Sequence, residues 1–143
     1  MQNSASIILS IRPKYVEAIL DGSKCYEFRR TIFKEKKVER ALIYSTSPVK
    51  KIVASFRISG VIKDTPDKLW KRFKHYSGLR AQEFFDYFEH CQEGYAIRIS
   101  DLELLEDPLD PFDIFPGFYP PQSFCYLDDP VVGNCCIEDF FTN

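Results

Sequence analysis

Long hydrophobic runs are absent from this sequence of 143 residues. No stretch approaches the roughly 20 apolar residues that a helix needs to cross a bilayer. The N-terminus also lacks a basic region before its first apolar residues, whereas secretory signal peptides carry one. These absences predict a cytoplasmic protein with no membrane-spanning helix and no membrane partner.

Metal-ligand spacing is also missing, although cysteine and histidine are present. None of the five cysteines forms a C-x-x-C pair, and the two histidines lie far apart. Because zinc sites need closely spaced pairs of such ligands, we predict reduced, buried thiols, no metal site and no cofactor. The residues concerned are Cys25, Cys91, Cys125, Cys135, Cys136, His75 and His90.

Lysine and arginine are absent from residues 101–143, which carry 10 acidic residues. Residues 1–51 carry 11 basic against 5 acidic residues, and residues 52–100 carry 8 against 6. The net charge of -2 alone argues against a nucleic-acid partner, but this asymmetry allows one basic face. An acidic tail that merely complements a solvated surface is an equally weighted alternative.

The chain length and composition indicate one globular domain. A hydrophobic content of 45% and a charged content of 28% are close to the globular average, which argues against general disorder. Neither an internal repeat nor a second domain is visible. We predict a single domain over residues 1–127 and an acidic C-terminal extension over residues 128–143.

Hydrophobic periodicity predicts an α+β chain with short strands. Pro13 and the run Thr65-Pro66-Asp67 are typical of helix starts, and Gly22 is typical of a helix end. In chain order we predict a strand at 7–11, a helix at 13–20, strands at 24–30, 41–44 and 52–62, helices at 65–75 and 80–89, and a strand at 95–104. Gly60 is expected to mark a bulge, and the proline-rich remainder is expected to hold little regular structure.

This order of elements predicts a small curled mixed β-sheet or β-barrel flanked by helices. The two helices of residues 65–75 and 80–89 are amphipathic and rich in aromatic residues. We expect them to pack outside the sheet with their rings mostly buried. These rings belong to Trp70, Phe73, Phe84, Phe85 and Phe88.

Three segments carry a resemblance to a known family. Residues 22–29, GSKCYEFR, match a G-x-K-x-x-E-x-R signature, and residues 41–48 with 52–54 resemble a pair of strands joined by a Ser-Pro turn. Residues 120–124, PPQSF, resemble a closing P-Q-S-F element. Together, over residues 6–127, they resemble the ASCH (ASC-homology) family of the PUA-like superfamily.

The resemblance implies a small β-barrel with a cleft beside the signature strand, and it implies RNA binding in transcription or translation. Some small relatives resemble amidohydrolases that act on acetylated cytidine with a Lys, a Thr and a Glu. Lys24 lies where that Lys lies, but Glu27 takes the place of that Thr.

The signature segment itself carries three charged residues. If residues 25–30 form a regular strand, Glu27 and Arg29 share one face about 7 Å apart, whereas Lys24 lies at the turn exit. A carboxylate between two cations is held ionised, which suits positioning more than proton transfer. Arg29 suits a phosphate or a guanine edge, Lys24 supplies mobile positive charge, and Glu27 suits an exocyclic amine. An ion pair that only orders the strand is the alternative interpretation.

Polar groups from two other segments are expected to complete the cleft. An aromatic plane with a few hydrogen-bonding groups suits single-stranded RNA. The candidates are Tyr44, Ser45, Thr46 and Ser47 at the end of a neighbouring strand, and Gln122, Ser123 and Phe124 in the closing element. Turn chemistry for the hydroxyl run and core positions for the two rings are the alternatives.

Two classes of function follow from these residues. The first hypothesis is a module that binds RNA or a modified nucleotide without catalysis. The second is a small hydrolase, either an amidohydrolase on acetylated cytidine or a ribonuclease, in which Lys24 activates water or substrate and Glu27 acts as acid and base. A protein-interaction module with an acidic tail is a third, weaker alternative. Whether the chain is an enzyme stays open at this point.

Overall fold

A computed structural model describes residues 5–115 and 117–127 of the chain. These residues form one six-stranded sheet with four helices and a short 3-10 turn at Lys74–Tyr76. The strands are β1 Ala5–Ile11, β2 Tyr26–Arg29, β3 Val38–Ser45, β4 Lys51–Asp64, β5 Gly94–Leu109 and β6 Phe124–Leu127. The helices are α1 Pro13–Leu20, α2 Pro66–Phe73, α3 Ala81–Tyr87 and α4 Pro111–Ile114.

The sheet is mixed and its strands are arranged in the order β2-β5-β4-β3-β1-β6. β1 runs parallel to β3, and every other neighbouring pair is antiparallel. The sheet curls into a half-barrel, so that Arg29 at the end of β2 reaches Ser10 on β1 and Ser123 just before β6. The predicted α+β fold, a small curled sheet flanked by helices, is confirmed.

The long strands β4 and β5 make the curvature possible. Their pairing contains register shifts, one of them between Ile58 and Gly60, as the bulge predicted at Gly60 requires. β5 continues to Leu109, five residues beyond the predicted strand. The proline-rich remainder contributes only the four-residue α4 and the four-residue β6, in line with its composition.

Aromatic packing under α2 and α3 follows the prediction with one exception. Phe73, Phe84 and Phe88 are buried, and Trp70 is partly buried against them. Phe85 was predicted to be buried, but its side chain is 37% exposed. The reason is helical geometry, because the buried face of α3 is centred on Phe84 and Phe88, and the next residue points about 100° away.

The cysteines correct a second prediction. Cys25 and Cys91 are free thiols, as predicted, but they are only partly buried. Cys125 is fully buried but disulfide-bonded, so the prediction of reduced thiols is wrong at this position. An odd number of cysteines without motif spacing carried no signal for this bond. Over the described ranges, no group of three or more His, Cys, Asp and Glu residues is arranged to hold a metal ion.

Two further expectations concern membranes and the tail. None of the helices within the described residues has the length and apolar character needed to span a membrane. The predicted acidic extension, residues 128–143, lies outside the described residues.

Candidate functional site

The turn after α1 positions Lys24. Gly22 takes a φ of 90°, which turns the chain sharply out of the helix, and the Lys24 amide donates to the Ala18 carbonyl. Lys24 then forms an isolated bridge with Ser77 rather than part of the strand predicted at 24–30, since β2 begins only at Tyr26. Gly78 allows this approach, because a Cβ at that position would lie 2.8 Å from the Lys24 Cβ.

A buried ion cluster follows directly on this turn. Lys24 Nζ lies 3.7 Å from Glu27 Oε1, and Glu27 Oε2 lies 2.7 Å from Arg29 Nη2. The three residues are 3%, 8% and 7% exposed. Glu27 and Arg29 share a face of β2, as strand alternation predicts. Buried charges in proteins are normally paired, and here one carboxylate serves two cations.

The guanidinium of Arg29 is held largely by the protein. Nη1 donates to Ser123 Oγ at 3.0 Å, and Nη2 donates to the Ser10 carbonyl at 3.1 Å as well as pairing with Glu27. Its Nε is buried and has no hydrogen-bond partner among the described residues. Arg29 therefore joins the two open edges of the half-barrel and holds the closing element in place, which sequence alternation did not reveal.

Lys24 is buried and hydrogen-bonded in place, so the prediction that it supplies a mobile charge is wrong. Its Nζ donates to the Ser77 carbonyl at 2.9 Å and lies 5.1 Å from the Phe28 ring centroid and 5.7 Å from that of Tyr15. Burial lowers the pKa of Lys24, while the nearby Glu27 carboxylate opposes that shift. A larger fraction of this amine is consequently neutral than at an exposed lysine.

The ion cluster lies beside a concave cavity of about 760 Å³. Five of the predicted site residues line this cavity: Lys24, Glu27, Arg29, Thr46 and Gln122. The other lining residues are Ser10, Ile11, Arg12, Tyr15, Phe28, Arg30, Leu79, Glu83, Asp86, Tyr87 and Pro121. The structure thus brings the signature, one hydroxyl of the 45–47 run and the closing element together.

The remaining predicted site residues lie outside this lining. Tyr44 is 2% exposed, with its ring 5.6 Å from that of Phe118 in the core. Ser45 is buried, and Ser47 is exposed before the cis peptide bond to Pro48. Ser123 acts through Arg29, to which its hydroxyl is bonded. Their roles in ligand binding stay predictions.

Sequence reasoning missed the wall that α1 and α3 build. Glu83, Asp86 and Tyr87 recur at helical spacing and form one stripe of α3, but nothing in their spacing places that stripe opposite the signature. Tyr15 lies in the first turn of α1, and Arg12 precedes that helix. Only the packing of α3 against α1 brings these side chains to the cavity.

Glu83 connects the two helices of this wall. Its Oε1 accepts from the Arg80 amide at 2.9 Å, and its Oε2 accepts from Lys14 Nζ at 2.6 Å and from the Tyr15 hydroxyl at 3.1 Å. The backbone hydrogen bond from Arg80, followed by the bond from Lys14, lowers the pKa of Glu83 to about 2. The carboxylate therefore stays charged across the physiological range and fixes the Tyr15 ring.

Acid titration tests this arrangement. Because the pKa of Glu83 is lower in the folded chain, its stabilisation is complete above about pH 4.5 and is lost as the pH falls towards 2. We expect Glu83→Gln to lower the free energy of unfolding by about 1 kcal/mol at pH 7, a value discounted for solvent exposure, and by much less at pH 2.5. Urea unfolding at both pH values measures the difference.

A control variant accompanies this titration. Glu89→Gln removes an exposed carboxylate just beyond α3 that lies 3.8 Å from the exposed His90. We expect the free energy of unfolding of this variant to equal that of the wild-type chain at both pH values. A deficit of Glu83→Gln that is equally large at pH 2.5 would contradict a stabilising role of the ionised carboxylate.

Known proteins are similar to this chain along most of its length. The model of the ASCH domain family matches residues 9–104. A curated relative, an ASCH domain-containing ribonuclease of Zymomonas mobilis, is 30% identical over 126 residues, which cover 84% of this chain and 82% of the relative. The crystal structure of ASCH from Zymomonas mobilis superposes with a TM-score of 0.79 at 29% identity and covers 87% of this chain and 88% of that chain. A serine-to-alanine mutant of that protein gives a TM-score of 0.80 at 26% identity, over 90% of this chain and 92% of that chain.

Proposed function

Because this chain belongs to the ASCH domain family, we propose that it binds single-stranded RNA in the cavity beside β2. The observation that carries the proposal is the buried cluster of Lys24, Glu27 and Arg29 at a cavity that the exposed side chains of Arg12 and Arg30 also line. Exposed cations attract the phosphate backbone, and buried charged groups recognise what enters the cavity.

The dimensions of the site favour an unpaired strand. A cavity of about 760 Å³ accepts a few nucleotides at most, and the charged side chains of its ion cluster are at least nine-tenths buried. A ligand has to insert to reach them. The bases of a duplex are stacked inside the helix, whereas the bases of a single strand are free to splay out.

The charges around the cavity suggest an orientation for the strand. Arg12 and Arg30 flank the ends of β1 and β2, whereas the carboxylates of Glu83 and Asp86 come from α3. We propose that phosphates lie on the arginine side and that the α3 side faces base edges, which offer amines to carboxylates. Thr46 and Gln122 supply further donors and acceptors at the rim.

The salt dependence of RNA binding tests this function. We expect the affinity for a ten-nucleotide single-stranded RNA, measured by fluorescence anisotropy, to fall steeply between about 50 and 200 mM salt. Arg12→Ala and Arg30→Ala should each weaken binding and reduce the log–log salt slope by about 0.7, the value for one phosphate contact on a single strand.

The matched control is Arg57→Ala, which removes an exposed arginine paired with Asp101 on the outer surface of β4 and β5. This variant should leave both affinity and slope unchanged. An affinity that does not change with salt concentration, or an equal loss of affinity in all three variants, would count against the cavity as the RNA site. Stronger binding of the matched duplex would count against single-strand selectivity.

Cleavage of the bound RNA is the second candidate function. It is favoured by the name of the 30% identical relative, a ribonuclease, and by the lowered pKa of Lys24. The neutral amine of a lysine accepts a proton and is suited to activate a hydroxyl group. Denaturing gels of the same reactions detect cleavage, which Lys24→Met should abolish. Release of acetate from N4-acetylcytidine would instead favour the amidohydrolase activity that the family resemblance implies.

A further inference from the structure

Of the aromatic rings that line this cavity, that of Tyr15 makes no contact with another ring within the described residues. The rings proposed from sequence, Tyr44 and Phe124, are both 2% exposed. Among the rings that line the cavity, Phe28 is buried edge-on against Phe84, and Tyr87 packs edge-on against Phe88 with the ring centroids 4.8 Å apart. Tyr15 is half-buried and borders the same space.

The Tyr15 ring is held in place before any ligand arrives. Its hydroxyl donates to Glu83 Oε2 at 3.1 Å, and Glu83 is itself fixed by the Arg80 amide and by Lys14. Val16 and Ile19, on the same short helix, are buried in the core and anchor α1. A preorganised aromatic surface does not have to be ordered on binding, so stacking contributes more of its energy to affinity.

Cations lie close to this ring, and two of them are paired with carboxylates, Lys14 with Glu83 and Lys24 with Glu27. Lys14 Nζ and Lys24 Nζ lie 5.5 Å and 5.7 Å from its centroid, and Arg12 lies three residues before Tyr15 in the same lining. A base stacked on the ring would carry its own phosphate towards Arg12, whose side chain is exposed at the same cavity. Stacking and phosphate attraction cooperate only for a nucleotide, which combines a flat base with an anion.

We infer that Tyr15 is the base-stacking residue of the cavity and selects unpaired nucleotides, with Glu83 as the positioning residue that orients its ring. The inference rests on the proposed RNA binding and adds the specificity-determining contact to it. It also gives the Glu83–Tyr15 hydrogen bond a function beyond joining α1 to α3.

The experiment uses single-stranded RNA with one 2-aminopurine, whose fluorescence is quenched when the base stacks. Tyr15→Phe keeps the ring and loses only the bond to Glu83, whereas Tyr15→Leu keeps an apolar side chain without a π-face. We expect Tyr15→Leu to weaken binding roughly five- to 150-fold and to lose the quenching, as base–aromatic stacking energies imply. Tyr15→Phe should bind roughly threefold more weakly than the wild-type chain and keep most of the quenching, because it keeps the π-face but loses the hydrogen bond through which Glu83 orients the ring.

Tyr76→Leu is the matched control, because this tyrosine is 55% exposed and lies outside the cavity lining. It should bind and quench like the wild-type chain. Circular dichroism verifies that each variant is folded. Salt-dependent wild-type binding that Tyr15→Leu leaves unchanged, in affinity and in quenching, would overturn the inference while sparing the proposed function. Absence of wild-type RNA binding would overturn the proposed function itself.

Discussion

Glu27→Gln should lower the free energy of unfolding by about 3–5 kcal/mol, because it leaves two buried cations without their carboxylate. Glu27 lies 2.7 Å from Arg29 Nη2 and 3.7 Å from Lys24 Nζ, and all three residues are at least nine-tenths buried. The substitution conserves the shape of the side chain, so the loss reports charge rather than packing. Urea unfolding at pH 7, followed by circular dichroism, measures it.

Glu103→Gln provides the comparison for this prediction. Glu103 pairs with Arg40 at 3.1 Å, but its side chain is 73% exposed, and exposed pairs contribute less than about 1 kcal/mol. The variant should unfold close to the wild-type midpoint. Similar losses of unfolding free energy in both variants would show that burial does not increase the contribution of the Glu27 ion pairs to stability.

The same variant has a functional consequence. Glu27 steadies Arg29, whose guanidinium holds Ser123 and so the closing element next to Pro121 and Gln122 in the cavity wall. RNA binding by folded Glu27→Gln should therefore weaken even at constant salt slope, since no phosphate contact is removed. A reduced salt slope would instead indicate that the cluster of Lys24, Glu27 and Arg29 contacts phosphate directly.

Phe84→Ala is expected to be as destabilising, by about 3–5 kcal/mol, because it opens a cavity in the centre of the aromatic core. Phe84 is fully buried, and its ring lies 4.8–5.1 Å from those of Phe28, Trp70, Phe85 and Phe88. Thermal or urea unfolding of the variant measures the loss. RNA binding should fall as well, since α3 also carries Glu83 and Tyr87.

The neighbouring residue supplies the control, since Phe85→Ala truncates the same side chain on the same helix. Phe85 is 37% exposed, so truncation removes less buried area and leaves no closed cavity. We expect a loss of about 1 kcal/mol. Equal losses at the two positions would contradict the packing described for α3.

The elements that local patterns specify were predictable from the sequence. The helix at 13–20 coincides with α1, because Pro13 and Gly22 mark its ends chemically. The hydroxyl cap at Thr65 accepts from the Lys68 amide at the start of α2, as its sequence indicates. Strand alternation placed Glu27 and Arg29 on one face of β2, because a period of two is a property of the extended backbone itself.

Positions that depend on contacts between distant segments were not predictable. Phe85 differs from Phe84 only in its angle around α3, and Tyr44 became a core residue because Phe118 packs against it. The wall formed by Tyr15 and Glu83 joins residues 68 positions apart, a distance at which periodicity carries no information.

The sequence by itself determined the family, the α+β class, the order of the elements and the charged residues of the signature, because each depends on local spacing or on residue type. Only the tertiary structure decided which groups surround those charges. The curl of the sheet brings Ser10 and Ser123 to Arg29, and the packing of α3 against α1 completes the cavity. The cavity is lined by segments that lie far apart in the sequence, and only folding brings them together.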